Sequence, residues 1–214
     1  KTVAISFSGV HSIASGNFED LPEILSNFNN NDLLCVRPSS ESPDWGGPSA
    51  IMNIGMNNLR YEELKQRLGA DAASSIYINF VQAYSLHVAR LDPDIFNPVE
   101  TQNSAALAKV LEIYENETEH EFPQDITKQL SEILRSMART WESTTARLLR
   151  QAKGAPLDAG LGLVIQVMAF GLGEGECGTV TLQLIDENDG KPKIKGRYKD
   201  CLLYTSDAAD DVRS

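Results

Sequence analysis

Apolar residues recur along this chain with two different periods, and the change of period divides it. From Leu59 to Leu91 they fall at Ala73, Ile76, Tyr77, Phe80, Val81, Tyr84, Val88 and Leu91, a spacing that predicts one long helix with an apolar face. Asp92-Pro93 stops that helix, and Pro98 closes the loop after it. A second helix is predicted from about Ser104 to Tyr114, with an exposed acidic end over Glu115 to Glu121. A third follows Phe122-Pro123-Gln124-Asp125, its buried stripe marked by Ile126, Leu130, Ile133, Leu134, Met137 and Trp141. The connections are short, so antiparallel neighbours are expected, and 59–152 reads as a helical subdomain.

Strand-like patterns flank that block. Leu161 to Phe170 is a nearly continuous apolar run, and Thr179 to Ile185 alternates Val180, Leu182 and Leu184 with polar residues. The glycine-rich stretch from Gly171 to Gly178 is read as a hairpin turn joining the two, because it opens no helix and its Glu174 and Glu176 would repel phosphates. At the other end Val3, Ile5 and Phe7 suggest a strand, Leu21 to Phe28 a short helix and Asn29 to Asn31 a turn. The expected class is α+β: an N-terminal strand and loop part over 1–58, the helical part over 59–152, and a strand-rich part over 153–200.

Composition narrows the function classes. A formal net charge of -11 argues against nucleic-acid binding, which needs a basic face. No apolar run approaches the ~20 residues of a membrane span. The three cysteines, Cys35, Cys177 and Cys201, form neither a C-x-x-C motif nor an even framework, so a reducing cytoplasm is expected, without structural zinc. His11, His87 and His120 are scattered and suggest no catalytic group. The last segment, Cys201 to Ser214, resembles a translated sequencing adaptor and is set aside from the fold.

One stretch carries candidate chemistry. Leu33 to Asn57, LLCVRPSSESPDWGGPSAIMNIGMN, reads as an apolar strand delivering Arg37 into a Ser/Gly/Pro loop, then a second apolar element. Arginine presents a planar fork of donors, and Ser39, Ser40, Gly46 and Gly47 permit close backbone approach to a group rich in oxygens. That combination suits a polyphosphate. An ordinary surface connection has the same composition, and no P-loop lysine follows the glycines. Gln166, the one polar residue within the run from Leu161 to Phe170, either satisfies its amide on a backbone neighbour or faces a cleft.

The same stretch resembles, without a gap, the arginine loop of the pyruvate, phosphate dikinase and phosphoenolpyruvate synthase family, where VRS(S/G) precedes a small-residue loop and a V-L-N-L-G-L-N close. Cys35, Val36, Arg37, Gly46 and Ile51 to Asn57 stand at matching or conservatively changed positions. V-I-Q-V-M-A-F-G, from Val164 to Gly171, is similar to the family's V-x-V-Q-x-M-V-F-G strand. Phe122 to Asp125 and Trp141 to Arg150 resemble its F-P-Q-D helix and the tryptophan and basic pair after it. The resemblance points to the subgroup described by phosphoenolpyruvate/pyruvate binding.

It implies part of an ATP-grasp-type nucleotide-binding domain with an inserted helical subdomain, using ATP and Mg2+. Its partners would be the phosphohistidine and phosphoenolpyruvate/pyruvate domains of a longer chain, with no nucleic acid and no membrane; a homodimer stays open. Arg37 would neutralise phosphate charge, Ser39, Ser40, Gly46 and Gly47 would supply donors and close approach, and Gln166 with Met168 would line the base pocket. Arg147 and Arg150 rank below Arg37 as anion contacts.

Three departures bear on activity. The family's tyrosine followed by two arginines is here Tyr77-Ile78-Asn79-Phe80, its G-G-K-G-A opening is absent from Lys1 to Asn31, and its acidic N-A-Q-G-E-D segment does not follow Gly196-Arg197-Tyr198. The expectation is a fragment unable to transfer phosphate alone. A non-catalytic nucleotide-binding or regulatory paralogue is the first alternative, and a purely helical interaction module the second.

Overall fold

In a computed structural model, residues 1–18, 20–97, 99, 103–169, 178–186 and 189–200 are described. Four strands, β1 (Thr2–Ile5), β2 (Leu34–Ser40), β3 (Ile51–Ile54) and β4 (Leu161–Val167), form one antiparallel sheet in the order β1-β4-β2-β3. Helices α1 (Phe7–Ala14), α2 (Leu21–Ser26), α3 (Asn58–Leu68), α4 (Ala70–His87), α5 (Ser104–Thr118), α6 (Ile126–Glu142) and α7 (Thr144–Ala152) complete the mixed helix and sheet architecture. β5 (Gly178–Ile185) and β6 (Pro192–Asp200) pair only with each other among the described residues. The sequence placed β5 in a hairpin with β4. That pairing does not form, because β1 occupies one edge of β4 and β2 the other. The turn assigned to that hairpin lies mostly outside the described residues.

The single helix expected from Leu59 to Leu91 is two. Gly69, at φ +86°, ends α3 and opens α4. Glycine adopts that backbone without steric cost, and nothing in the apolar spacing reveals the break. α4 is the central helix rather than an amphipathic surface one: Ala73 to Ile78, Phe80 and Val81 are all buried. α6 follows its amphipathic pattern, with Leu130, Ile133, Leu134, Met137 and Trp141 inside. α1 was not expected, since Phe7 had been read as part of a strand; Ser6 caps it by accepting from the Gly9 N–H.

Sheet and helices share one core. Its centre is aromatic: Phe122 meets Tyr77, Phe80, Tyr84 and Tyr114 edge-on, with ring centroids 5.2 to 5.9 Å away. The residues after it are equally committed. Gln124 accepts from the Asn58 N–H at 2.8 Å and donates to the Tyr77 hydroxyl at 3.0 Å, while Asp125 caps α6. Gln129, fully buried, accepts from the Gly55 N–H at 2.8 Å and donates to the carbonyls of Met56 at 3.0 Å and Pro123 at 2.6 Å. These bonds fasten the segment after β3 to the start of α6.

Candidate functional site

The period-2 geometry of the sheet sorts its residues onto two faces. In the register Val36↔Ile165↔Val3, the side chains of Leu34, Val36, Leu163 and Ile165 lie under the helices and are fully buried. The opposite face carries Thr2, Gln166 and Cys35 in one row, Ala4, Val164 and Arg37 in the next, then Gly162 and Ser39. Thr2, Ala4, Arg37, Ser39 and Gln166 are exposed there, while Cys35 is buried. Arg37 and Gln166 are diagonal neighbours on adjacent strands, a relation that puts such side chains roughly 7–8 Å apart. Neither side chain has an ion-pair or hydrogen-bond partner among the described residues. Gln166, the one polar residue of its strand, is exposed on this face, which the Phe7 ring of α1 covers in part at Gly162.

Phe7 borders this face and was not recognised from sequence. Its ring occupies the space a Cβ would need at Gly160, 2.5 Å from the ring carbons, and lies 3.5 Å from one at Gly162, yet it stays 45% exposed. The signal was the Gly160/Gly162 pair, which leaves a slot for a ring beside the strand.

The loop after β2 runs to the helix layer. Ser40, on the buried-face register, donates to the Ser42 carbonyl at 2.8 Å, so only Ser39 of the two serines stands on the open face. Gly46, at φ +73°, lies beside Lys153: a Cβ there would be 3.9 Å from Lys153 Nζ. Gly47 packs on the ring of Trp141, 3.6 Å from a Cβ built on it. Trp141 is held by a bond from Nε1 to the Ala159 carbonyl at 3.3 Å. Arg150 stacks over its ring at 3.7 Å and donates to its carbonyl at 2.7 Å. Arg150 is therefore a buried packing group, its pKa lowered by that burial. Arg147 lies 4.0 Å from Glu142.

Met168 is not beside Gln166 on the open face. β4 ends at Val167; the Met168 N–H donates to the Leu33 carbonyl at 2.8 Å, and its Sδ accepts from the Asn53 N–H at 3.0 Å. Its side chain lines a groove of about 630 Å³ with Leu33, Leu64, Leu68 and Arg67 instead. Arg37, Ser39 and Gln166 are thus brought together, Gly46 and Gly47 sit at the loop end, and Met168 is separate. Tyr77, Ile78 and Phe80 are enclosed in the core and offer no charge to any site. Among the described residues no group of three or more His, Cys, Asp or Glu side chains is placed to hold a metal. No described helix is long and apolar enough to cross a membrane.

An open sheet face bearing a free arginine and a free amide is a surface for an anion attached to a hydrogen-bonding group. Pyruvate, phosphate dikinase of Clostridium symbiosum is 25% identical over 185 residues, covering 78% of this chain and 21% of that protein. Pyruvate, phosphate dikinase 2 of Oryza sativa subsp. japonica is 24% identical over 183 residues, and the chloroplastic enzyme of Flaveria pringlei 26% identical over 183. The chain is similar to pyruvate, phosphate dikinases. It spans about a fifth of the length of these relatives. No family model matches it.

Proposed function

We propose that this chain is the nucleotide-binding part of a pyruvate, phosphate dikinase-like phosphotransferase, an ATP-grasp-type lobe whose open sheet face is one wall of the ATP site. The observation that carries the reading is the pair Arg37 and Gln166, diagonal neighbours that stand exposed and unpartnered on the sheet face opposite the buried Val36 and Ile165. Arg37 offers two parallel N–H donors to phosphate oxygens, and Gln166 offers both a donor and an acceptor to a base or ribose. In the longer protein the phosphoryl group would pass from ATP to a histidine on a separate domain and then to pyruvate, giving phosphoenolpyruvate. The chain alone would bind ATP and transfer nothing.

Calorimetric titration with ATP tests this. A charge-assisted bond is worth about 1.5–3 kcal/mol, so Arg37→Ala is expected to weaken ATP binding about ten- to a hundredfold while leaving adenosine binding unchanged. Wild-type chain that binds no ATP sinks the proposal. Tyr77-Ile78-Asn79-Phe80, which stands where the resembled family carries a tyrosine followed by two arginines, favours a second reading: a non-catalytic paralogue that binds nucleotide. Joining the chain to the remaining domains and assaying phosphohistidine separates the two, since only the kinase reading yields it.

A further inference from the structure

The proposed nucleotide site, as the sequence resemblance frames it, is short of positive charge. Among the described residues it has Arg37 and no arginine in α4, and its loop adds the exposed carboxylates of Glu41 and Asp44. A triphosphate held by one arginine against those charges is poorly balanced. The fold brings a second cation to the loop from more than a hundred residues away in sequence.

We infer that Lys153 is that cation: from the C-terminal end of α7 it reaches over Gly46, so that the phosphates of a bound nucleotide lie between Arg37 and Lys153. This rests on the nucleotide-binding reading above. Three observations support it. The Lys153 ammonium stands 3.9 Å from where a Cβ of Gly46 would be, and Gly46 has the positive φ that excludes one without strain. The two segments are held in register by Trp141, which carries Gly47 on its ring and is braced by Arg150 and the Ala159 carbonyl. The neighbouring cations are committed elsewhere, Arg150 to Trp141 and Arg147 beside Glu142, whereas the Lys153 ammonium has no carboxylate or hydrogen-bond partner among the described residues. Its backbone is fixed, the N–H donating to the carbonyls of Leu149 and Arg150 at 3.3 and 3.0 Å. The ammonium thus stands beside the one loop position, Gly46, that carries no side chain and holds a positive φ.

The test uses the full chain and its R37A, K153M and K153R variants, titrated with ATP, adenosine and inorganic tripolyphosphate. K153M is expected to weaken ATP and tripolyphosphate about tenfold, leave adenosine unchanged and lower the salt sensitivity of ATP binding; K153R restores most of the loss. Lys153 is exposed, so thermal unfolding should not move and a folding defect is not confused with lost binding. If R37A loses ATP while K153M binds it like wild type, the Lys153 assignment is overturned and the nucleotide reading stands. Equal weakening of ATP and adenosine by K153M overturns the assignment too. Wild-type chain that binds neither ATP nor tripolyphosphate overturns both.

Discussion

Replacing Gln129 by leucine should unfold more than its size suggests. The side chain is fully buried in α6 and makes three bonds, one accepted from the Gly55 N–H and two donated to the carbonyls of Met56 and Pro123. Leucine fills nearly the same volume, so cavity formation contributes little. Three net hydrogen bonds at about 1–1.5 kcal/mol each give a loss of about 3–4 kcal/mol, and the more apolar side chain returns about 1 kcal/mol. The net expectation is about 2–3 kcal/mol, or a Tm lowered by about 4–12 °C for a chain of this size. Urea denaturation measures the first and calorimetry the second. Hydrogen exchange adds a local reading, because the Gly55 amide should lose its protection in the variant. A Q129L chain within about 1 kcal/mol of wild type, with the Gly55 amide still protected, would refute the view that this glutamine fastens the β3 segment to α6.

Two further predictions concern the same core. Gly55, at φ +99°, has Ile126 Cδ1 at 3.0 Å and the Asp32 carbonyl at 3.4 Å from any Cβ, so Gly55→Ala should cost about 2 kcal/mol or more in urea unfolding, through backbone strain and crowding together. Tyr77, Tyr84 and Tyr114 are each raised above the usual tyrosine pKa of 10.0 by burial, and Glu132 adds to the effect at Tyr84 and Tyr114. The unfolded chain then releases these protons at lower pH than the folded one. Stability should be unaffected by them below about pH 10 and fall above it, by up to about 1.4 kcal/mol per pH unit for each tyrosine; Tyr84→Phe should flatten that decline, which alkaline denaturation curves will show.

What could be read from the sequence depended on whether one segment contained the whole signal. α6 was legible because its buried stripe alternates with charged residues over four turns. α4 was legible as a helix but not as the central one, since polar Ser74, Ser75 and Ser85 are buried with it, and Ser85 donates to the Val81 carbonyl instead of to water. α1 was missed because Gly9, Ser8 and Ser12 dilute its pattern, although the capping Ser6 was there to be read. The arginine loop was legible as a strand running into a turn. The separation of Met168 from Gln166 was not, because strand periodicity continued past Val167 would put both on one face, and only the bonds to Leu33 and Asn53 turn the chain aside. Lys153 was invisible for the same reason: its relation to Gly46 exists only in three dimensions.

The motifs that resemble the dikinase family also divide by what they do here. Phe122 centres the aromatic core, Gln124 and Asp125 cap helices, Gly55 and Asn53 hold positive φ, and Asn57 caps α3 while donating to the Gln124 carbonyl at 3.0 Å. Each is sufficiently explained by folding, so each speaks for the architecture and none for an activity. A chain that kept the architecture and abandoned the chemistry would still need all of them. It would not need Arg37, which supports no described contact, or Gln166, which stands exposed with its amide unused. Their exposure together on one face of the sheet is what folding alone leaves unexplained, and it is there that binding measurements will separate a working nucleotide wall from an inherited scaffold.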